Sequence, residues 1–209
     1  MNIINVFGGT FSPPHLAHTQ IIQRINKSIQ PDINYIVPAI AWQKSCIIPA
    51  HYRFEMCEAA FCGLDNTYIS DIEISQNKPS YTVETLEKIK NIHPQSQIYL
   101  TIGLDQLINI HTWHRWQELQ NYANFYVINR TSIAQSHNLK NKQDISMLEN
   151  VRKLGNVIID EWQPPYISST QIREQIMHDN WDNLEKYLDM KVINYIKQHK
   201  LYTELENKY

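Results

Sequence analysis

The chain has 209 residues, enough for one ordinary domain with a sizeable core. Its 43% hydrophobic content, 19% charged content and formal net charge of −2 exclude a disordered chain, a membrane-embedded one and a general binder of nucleic acid. Three cysteines (Cys46, Cys57 and Cys62) form no C-x-x-C pair, and no signal-peptide pattern or long apolar run is present, so reduced thiols in a cytoplasmic protein off the membrane are expected. Short apolar runs predict strands over residues 3–6, 35–37, 69–74, 98–102, 125–128 and 157–159. Helical patterns interleave with them over 15–28, 51–61, 82–92, 113–121 and 169–178, with a last helix over 190–199. This alternation predicts a single α/β domain over 1–209, Rossmann-like and doubly wound. Its sheet should be mainly parallel, with helices on both faces. The polar stretch 132–146 reads as a surface excursion.

Ligands of open α/β sheets lie past the carboxyl ends of the strands. The first strand runs into Phe7-Gly8-Gly9-Thr10-Phe11-Ser12-Pro13-Pro14-His15-Leu16-Ala17-His18. Two glycines permit close backbone approach and positive φ, and Pro14 suits a first helical position. His15 and His18 then share one face of a helical first turn, where free N–H groups and the dipole favour an anion. The fourth strand ends in Gly103-Leu104-Asp105 and the fifth in Asn129-Arg130. The sixth leads from Asp160 to Ile167-Ser168-Ser169-Thr170-Gln171-Ile172-Arg173. There, one of three hydroxyls caps a helix and Arg173 adds a cation, which makes a second phosphate grip. Neither G-x-G-x-x-G nor G-x-x-x-x-G-K-[ST] occurs, which argues against the better-known nucleotide loops.

The first loop resembles the G-G-T-F-D-P-x-H-x-G-H pattern of nucleotidylyltransferases, and Ile167–Arg173 resembles their I-S-S-T-x-I-R. Three internal segments are similar to those of bacterial nicotinate-nucleotide adenylyltransferases: Trp42-Gln43-Lys44, Pro79-Ser80-Tyr81-Thr82, and Ile102-Gly103-Leu104-Asp105 with Thr112-Trp113. The resemblance implies adenylyl transfer from ATP to nicotinate mononucleotide, with Mg²⁺ on the ATP phosphates. It implies that His15, His18, Lys44 and Arg173 act on phosphate in catalysis. ATP would be bound by Gly8, Gly9, Thr10, Phe11 and His18 at one end. Gly103, Asp105 and Arg130 would serve the nucleotide in the middle, and Ile167, Ser168, Ser169, Thr170 and Arg173 at the other end. The nicotinate nucleotide would meet Thr10, Lys44, Asp105, the backbone of Tyr81 and Thr82, and the stacking face of Trp113.

Ser12 stands where the pattern has aspartate and Ala17 where it has glycine, and the loop 38–42 is one residue short. His111 and His114 flank Trp113 without a third ligand type, so no metal site is expected, and Arg53 reads as an ion-pair residue. On sequence alone three alternatives stay open. These are a sister enzyme acting on nicotinamide mononucleotide or phosphopantetheine, a catalytically silent nucleotide-binding regulator, and a metal-dependent hydrolase. Homo-oligomerisation also stays open.

Overall fold

The computed structural model describes residues 1–40, 48–76, 80–129 and 156–203. Six strands form one parallel sheet: β1 (Ile3–Gly9), β2 (Ile33–Pro38), β3 (Thr67–Ile69), β4 (Gln97–Gly103), β5 (Asn124–Ile128) and β6 (Val157–Asp160). Their spatial order is β3-β2-β1-β4-β5-β6, the doubly wound order, and it reverses between β1 and β4. The α-helices are α1 (Leu16–Ser28), α2 (Ala50–Phe61), α3 (Thr82–Ile92), α4 (Leu104–Ile108), α5 (Ser169–Met177) and α6 (Met190–His199).

Alternation along the strands builds two cores. Phe7, Ile36, Tyr126 and Ile128 face one way, against Ile21, Ile22 and Ile25 of α1, Met56 of α2, Ile172 of α5 and Ile196 of α6. Ile4, Val6, Leu100 and Val127 face the other way, against Val83, Leu86 and Ile89 of α3 and Leu107 of α4. The three-and-four spacing of the α1 and α3 apolar residues places each on one stripe, which explains why each helix lies on the sheet. Three adjacent strands are also pinned by buried polar groups. Thr101 donates to Asn5 at 2.6 Å, Asn5 to Asn34 at 3.0 Å, and Asn34 to Asn26 of α1 at 2.7 Å. Each link satisfies a group that would otherwise cost about 1–3 kcal/mol to bury.

Three sequence expectations need correction. The strand expected over 69–74 ends at Ile69, and Ile74 begins a 3-10 turn (Ile74–Gln76). The helix expected over 113–121 is a 3-10 helix (Trp116–Asn121), and it starts only after Arg115, which takes a left-handed backbone, φ 50°. The helix α4 follows β4 directly and was not foreseen. The stretch 132–146 lies outside the described residues.

Asp160, at the tip of β6, is spent on the fold rather than offered to a ligand. Arg24 of α1 grips it with two bonds of 2.7 and 3.0 Å, Tyr126 donates its hydroxyl, and the Trp162 N–H donates at 2.9 Å. Burial pushes the Asp160 carboxyl up, but these hydrogen bonds outweigh it and hold the pKa at about 2. Burial, with the bond to Asp160, pushes Tyr126 up to about 12. The folded pKa of Asp160 lies below its unfolded value, so its contribution is complete above that value and is lost as pH falls from about 4 to about 2. Asp160→Asn should lower Tm near neutral pH by about 3–8 °C, read by circular dichroism. The variant's Tm should fall less steeply than that of the parent chain over that acid window.

Candidate active site

A cavity of about 420 Å³ opens at the reversal point, past the carboxyl ends of β1 and β4. Phe7 to Ser12, His18, Ala39, Thr101 to Gly103, Asp105, Gln106, Trp113 and Ser169 line it. It therefore gathers Gly8, Gly9, Thr10, Phe11, His18, Gly103, Asp105, Trp113 and Ser169 of the expected site. Lys44 and Arg130 lie outside the described residues, as do Trp42 and Gln43.

The local conformation of the first loop differs from expectation. β1 continues through Gly9, so both glycines are strand residues, and the left-handed backbone falls on Phe11, φ 48°. That conformation costs a side-chain-bearing residue about 1–2 kcal/mol. Burial offsets it: the Phe11 ring packs edge-on against Phe7, Phe61 and His18 at centroid distances of 5.6, 5.9 and 5.0 Å. Gly9 is needed for that ring, since a Cβ there would meet Phe11 Cζ at 3.0 Å. Pro14 is not the first helical residue. His15 is the N-cap, in extended backbone, and α1 starts at Leu16. The chain bends at Ser12 and Pro13, whose peptide bond is cis, before it reaches that cap.

His15 and His18 do share a face, with buried rings stacked at 3.6 Å and 18°. The His15 N–H donates to His18 Nδ1 at 3.1 Å. An Nδ1 that accepts carries no proton, so the His18 proton sits on Nε2 and the ring is a neutral donor. Only His18 of the two lines the cavity.

The two phosphate motifs meet through the backbone. Arg173 donates Nη1 to the Ser12 carbonyl at 2.7 Å and Nη2 to Thr170 Oγ1 at 3.2 Å. Ser169 Oγ donates to the Pro13 carbonyl at 3.0 Å. Ser168 is the N-cap of α5 but makes no side-chain cap bond. Ile167 and Ser168 border a neighbouring cavity of about 520 Å³ on the other side of α5's first turn. Ser12, at the aspartate position of the pattern, lies 3.0 Å from the Tyr202 hydroxyl, whose pKa burial raises. Ala17 is buried in α1 and is not part of the cavity wall.

On the far wall, Asp105 is an exposed carboxylate in the first turn of α4, where Gln106 donates to it at 2.8 Å. Trp113 both lines the cavity and packs against the second core. Tyr81 is the N-cap of α3 and its ring lies 4.2 Å from that of His114. Tyr81 and Thr82 thus stand beside the Trp113 segment, though neither lines the cavity.

Arg53 makes no carboxylate ion pair among the described residues, contrary to expectation. It is 2% exposed and donates to the Thr10 carbonyl at 2.8 Å and the Ile48 carbonyl at 3.3 Å. Burial lowers its pKa. Its place could have been read from α2, where Met56, Cys57 and Ala60 fall three, four and seven residues on and mark the inward stripe. Glu73 is 8% exposed, and the sequence carries no signal for its burial, since the alternating Ile72-Glu73-Ile74 fits the strand expected over 69–74.

Among the described residues no group of three or more His, Cys, Asp or Glu could hold a metal ion, and no helix is long and apolar enough to cross a membrane. Cys57 is buried, with its thiol pKa pushed up by that burial, and Cys62 is exposed.

Two bacterial relatives carry the name "Probable nicotinate-nucleotide adenylyltransferase". That of Staphylococcus saprophyticus is 29% identical over 202 residues, covering 95% of this chain and 97% of its own. That of Albidiferax ferrireducens is 36% identical over 132 residues, covering 62% and 67%. The solved Plasmodium falciparum nicotinic acid mononucleotide adenylyltransferase, complexed with NaAD, superposes with a TM-score of 0.77 at 20% identity, over 97% of this chain and 98% of that one. At that identity the likeness is one of fold. The family model described as cytidylyltransferase-like matches residues 6–175, from β1 through most of α5, and the chain belongs to that family.

Proposed function

We propose that this chain, as one domain, transfers the adenylyl group of ATP to nicotinate mononucleotide, a cytoplasmic step of NAD biosynthesis. The products are nicotinate adenine dinucleotide and pyrophosphate. One observation carries the reading: a single cavity at the strand-order reversal is lined by the first loop, His18, Ser169, Asp105 and Trp113 together. That set combines phosphate donors, a sugar-hydroxyl acceptor and a flat aromatic face, as a phosphate-bearing nucleotide and a pyridine ring require.

In this reaction a phosphate oxygen of nicotinate mononucleotide attacks the α-phosphorus of ATP in line. The new P–O bond forms as the bond to the β-phosphate breaks and pyrophosphate leaves. The nucleophile is already an anion, so no general base is needed, and the protein contributes alignment and charge stabilisation. The neutral Nε2–H of His18 donates to phosphate oxygen as negative charge shifts toward the leaving group. Arg173 holds the first loop against α5 while the α5 N-terminal amides face the phosphates. Lys44 adds charge on the acceptor side, and Trp113 stacks on the pyridine ring. The backbone of Tyr81 and Thr82 receives the carboxylate that separates nicotinate from nicotinamide. Asp105, a carboxylate on the cavity wall, would face a divalent cation, Mg²⁺ in this reading, brought in with the ATP phosphates. When bound, that cation neutralises triphosphate charge.

The direct test measures pyrophosphate from ATP, Mg²⁺ and either mononucleotide. Release should be at least about tenfold faster with nicotinate than with nicotinamide mononucleotide. Equal rates would remove the nicotinate preference, and no release with either would favour a silent binder. His18→Ala should lower kcat by about 100-fold with KM little changed, since its bond strengthens in the transition state. Trp113→Ala should raise KM for nicotinate mononucleotide by about tenfold and leave KM for ATP within about twofold, by steady-state kinetics.

A further inference from the structure

Glu73 occupies an unusual place for a carboxylate. It lies in the turn between β3 and the 3-10 turn Ile74–Gln76, and it is 8% exposed. Burying a carboxylate is unfavourable unless several donors compensate. Burial raises its pKa, opposed by bonds from Thr85 and the Ile40 backbone and by the nearby cations Lys88 and Arg53. The partners come from different elements around the site. Thr85 Oγ1 donates to Glu73 Oε1 at 2.7 Å. Thr85 belongs to the first turns of α3, and its hydroxyl is also 3.3 Å from Ser80 Oγ, in the turn that leads to Tyr81 and Thr82.

The Ile40 N–H bonds the same carboxyl group from the segment beyond β2. Its neighbour Ala39 lines the cavity and donates to the Gly9 carbonyl at 2.8 Å. Arg53 interacts electrostatically with Glu73 while it holds the Thr10 carbonyl. One carboxyl group therefore ties together the β2 tip, the amino terminus of α3 and, through Arg53, the first loop.

We propose that Glu73 is a positioning residue for the nicotinate nucleotide: by holding Ile40 and Thr85 at once, it sets the spacing between the β2 tip and the amino terminus of α3. The inference rests on the proposed function, which puts the pyridine carboxylate at that terminus. A merely structural role would impair both substrates or stability alone. A positioning role splits the two Michaelis constants.

Steady-state kinetics with each substrate varied in turn, beside thermal unfolding, tests this on the parent chain, Glu73→Gln, Glu73→Ala, Thr85→Ser and Thr85→Val. Glu73→Ala and Thr85→Val should raise KM for nicotinate mononucleotide by about tenfold, with KM for ATP within about twofold. Glu73→Gln keeps an acceptor oxygen and Thr85→Ser keeps the hydroxyl, so both should stay within about threefold of the parent. Thr85→Val preserves side-chain shape, and it decides the matter if Glu73→Ala does not fold. Equal rises in both constants, a fall in kcat alone, or no change in either constant would overturn the positioning role. An inactive parent chain would overturn the proposed function and this inference with it. An active parent with unaffected variants overturns this inference alone.

Discussion

An anion site has to hide its own carbonyl oxygens, and the rest of this structure is arranged around that requirement. In the first loop the Gly9 carbonyl is taken by the Ala39 N–H and that of Thr10 by Arg53. The Ser12 carbonyl is taken by Arg173, that of Pro13 by Ser169, and that of His15 by amides of its own helix. With these acceptors engaged, the loop suits the phosphate contact of the proposed reaction. Two of the bonds join residues 161 and 156 positions apart. Closing so long a loop costs entropy that two hydrogen bonds do not offset. Apolar packing supplies the difference. Ile172 and Ile176 of α5 enter the same core as Ile21, Ile22 and Ile25 of α1. Arg173 and Ser169 then need only aim their donors from a helix already seated.

The charge arrangement follows from the same requirement. A formal net charge of −2 gives no broad attraction for polyanions, so positive character has to be local. It comes in two layers. At the cavity wall stand a neutral imidazole N–H and backbone amides, which need no counter-charge when the site is empty. Behind the wall lies Arg53, nine-tenths buried or more, with its charge spread over two carbonyl dipoles and the field of Glu73. A guanidinium suits this place because it stays protonated even when burial pulls its pKa down. The pair Arg24 and Asp160 shows the contrasting use of charge. There the carboxylate accepts four hydrogen bonds from three residues and fastens β6 to α1 and β5.

Much of this was legible in the sequence, because apolar periodicity and strand-tip chemistry are strong local signals. The runs at 3–6, 98–102 and 125–128 lie within β1, β4 and β5, and the loop after β1 marks the cavity. Errors arose where tertiary contacts override a local pattern. Ile72-Glu73-Ile74 alternates like a strand, yet Thr85 and Ile40 draw Glu73 inward and the backbone turns. Glycine is the usual residue for positive φ, yet here Phe11 takes it, since ring burial outweighs the backbone cost and Gly9 makes room. Asp160 stands at a strand tip, where ligands of such sheets lie, yet the packing of α1 makes Arg24 its partner. Arg24 and Asp160 are 136 residues apart, and Glu73 and Thr85 are 12 apart in different elements, so neither pairing follows from local periodicity.

The two sides of the cavity are built to different standards of rigidity, and this bears on how selectivity is achieved. The phosphate side rests on β1 and β4 at the centre of the sheet, each with a hydrogen-bonded neighbour on both edges. The other side is lined by the ends of elements, Ala39 beyond β2 and Trp113 after the 3-10 turn Ile110–Thr112, with the amino terminus of α3 beside the Trp113 segment. Backbone dipoles at such ends discriminate by charge only if their spacing is fixed, because the field of an amide falls steeply with distance. A side chain that bonds two of those ends at once is the least elaborate way to fix it. That places the burden of selectivity on buried polar links behind the wall rather than on the wall itself, and Glu73 is the residue through which those links run.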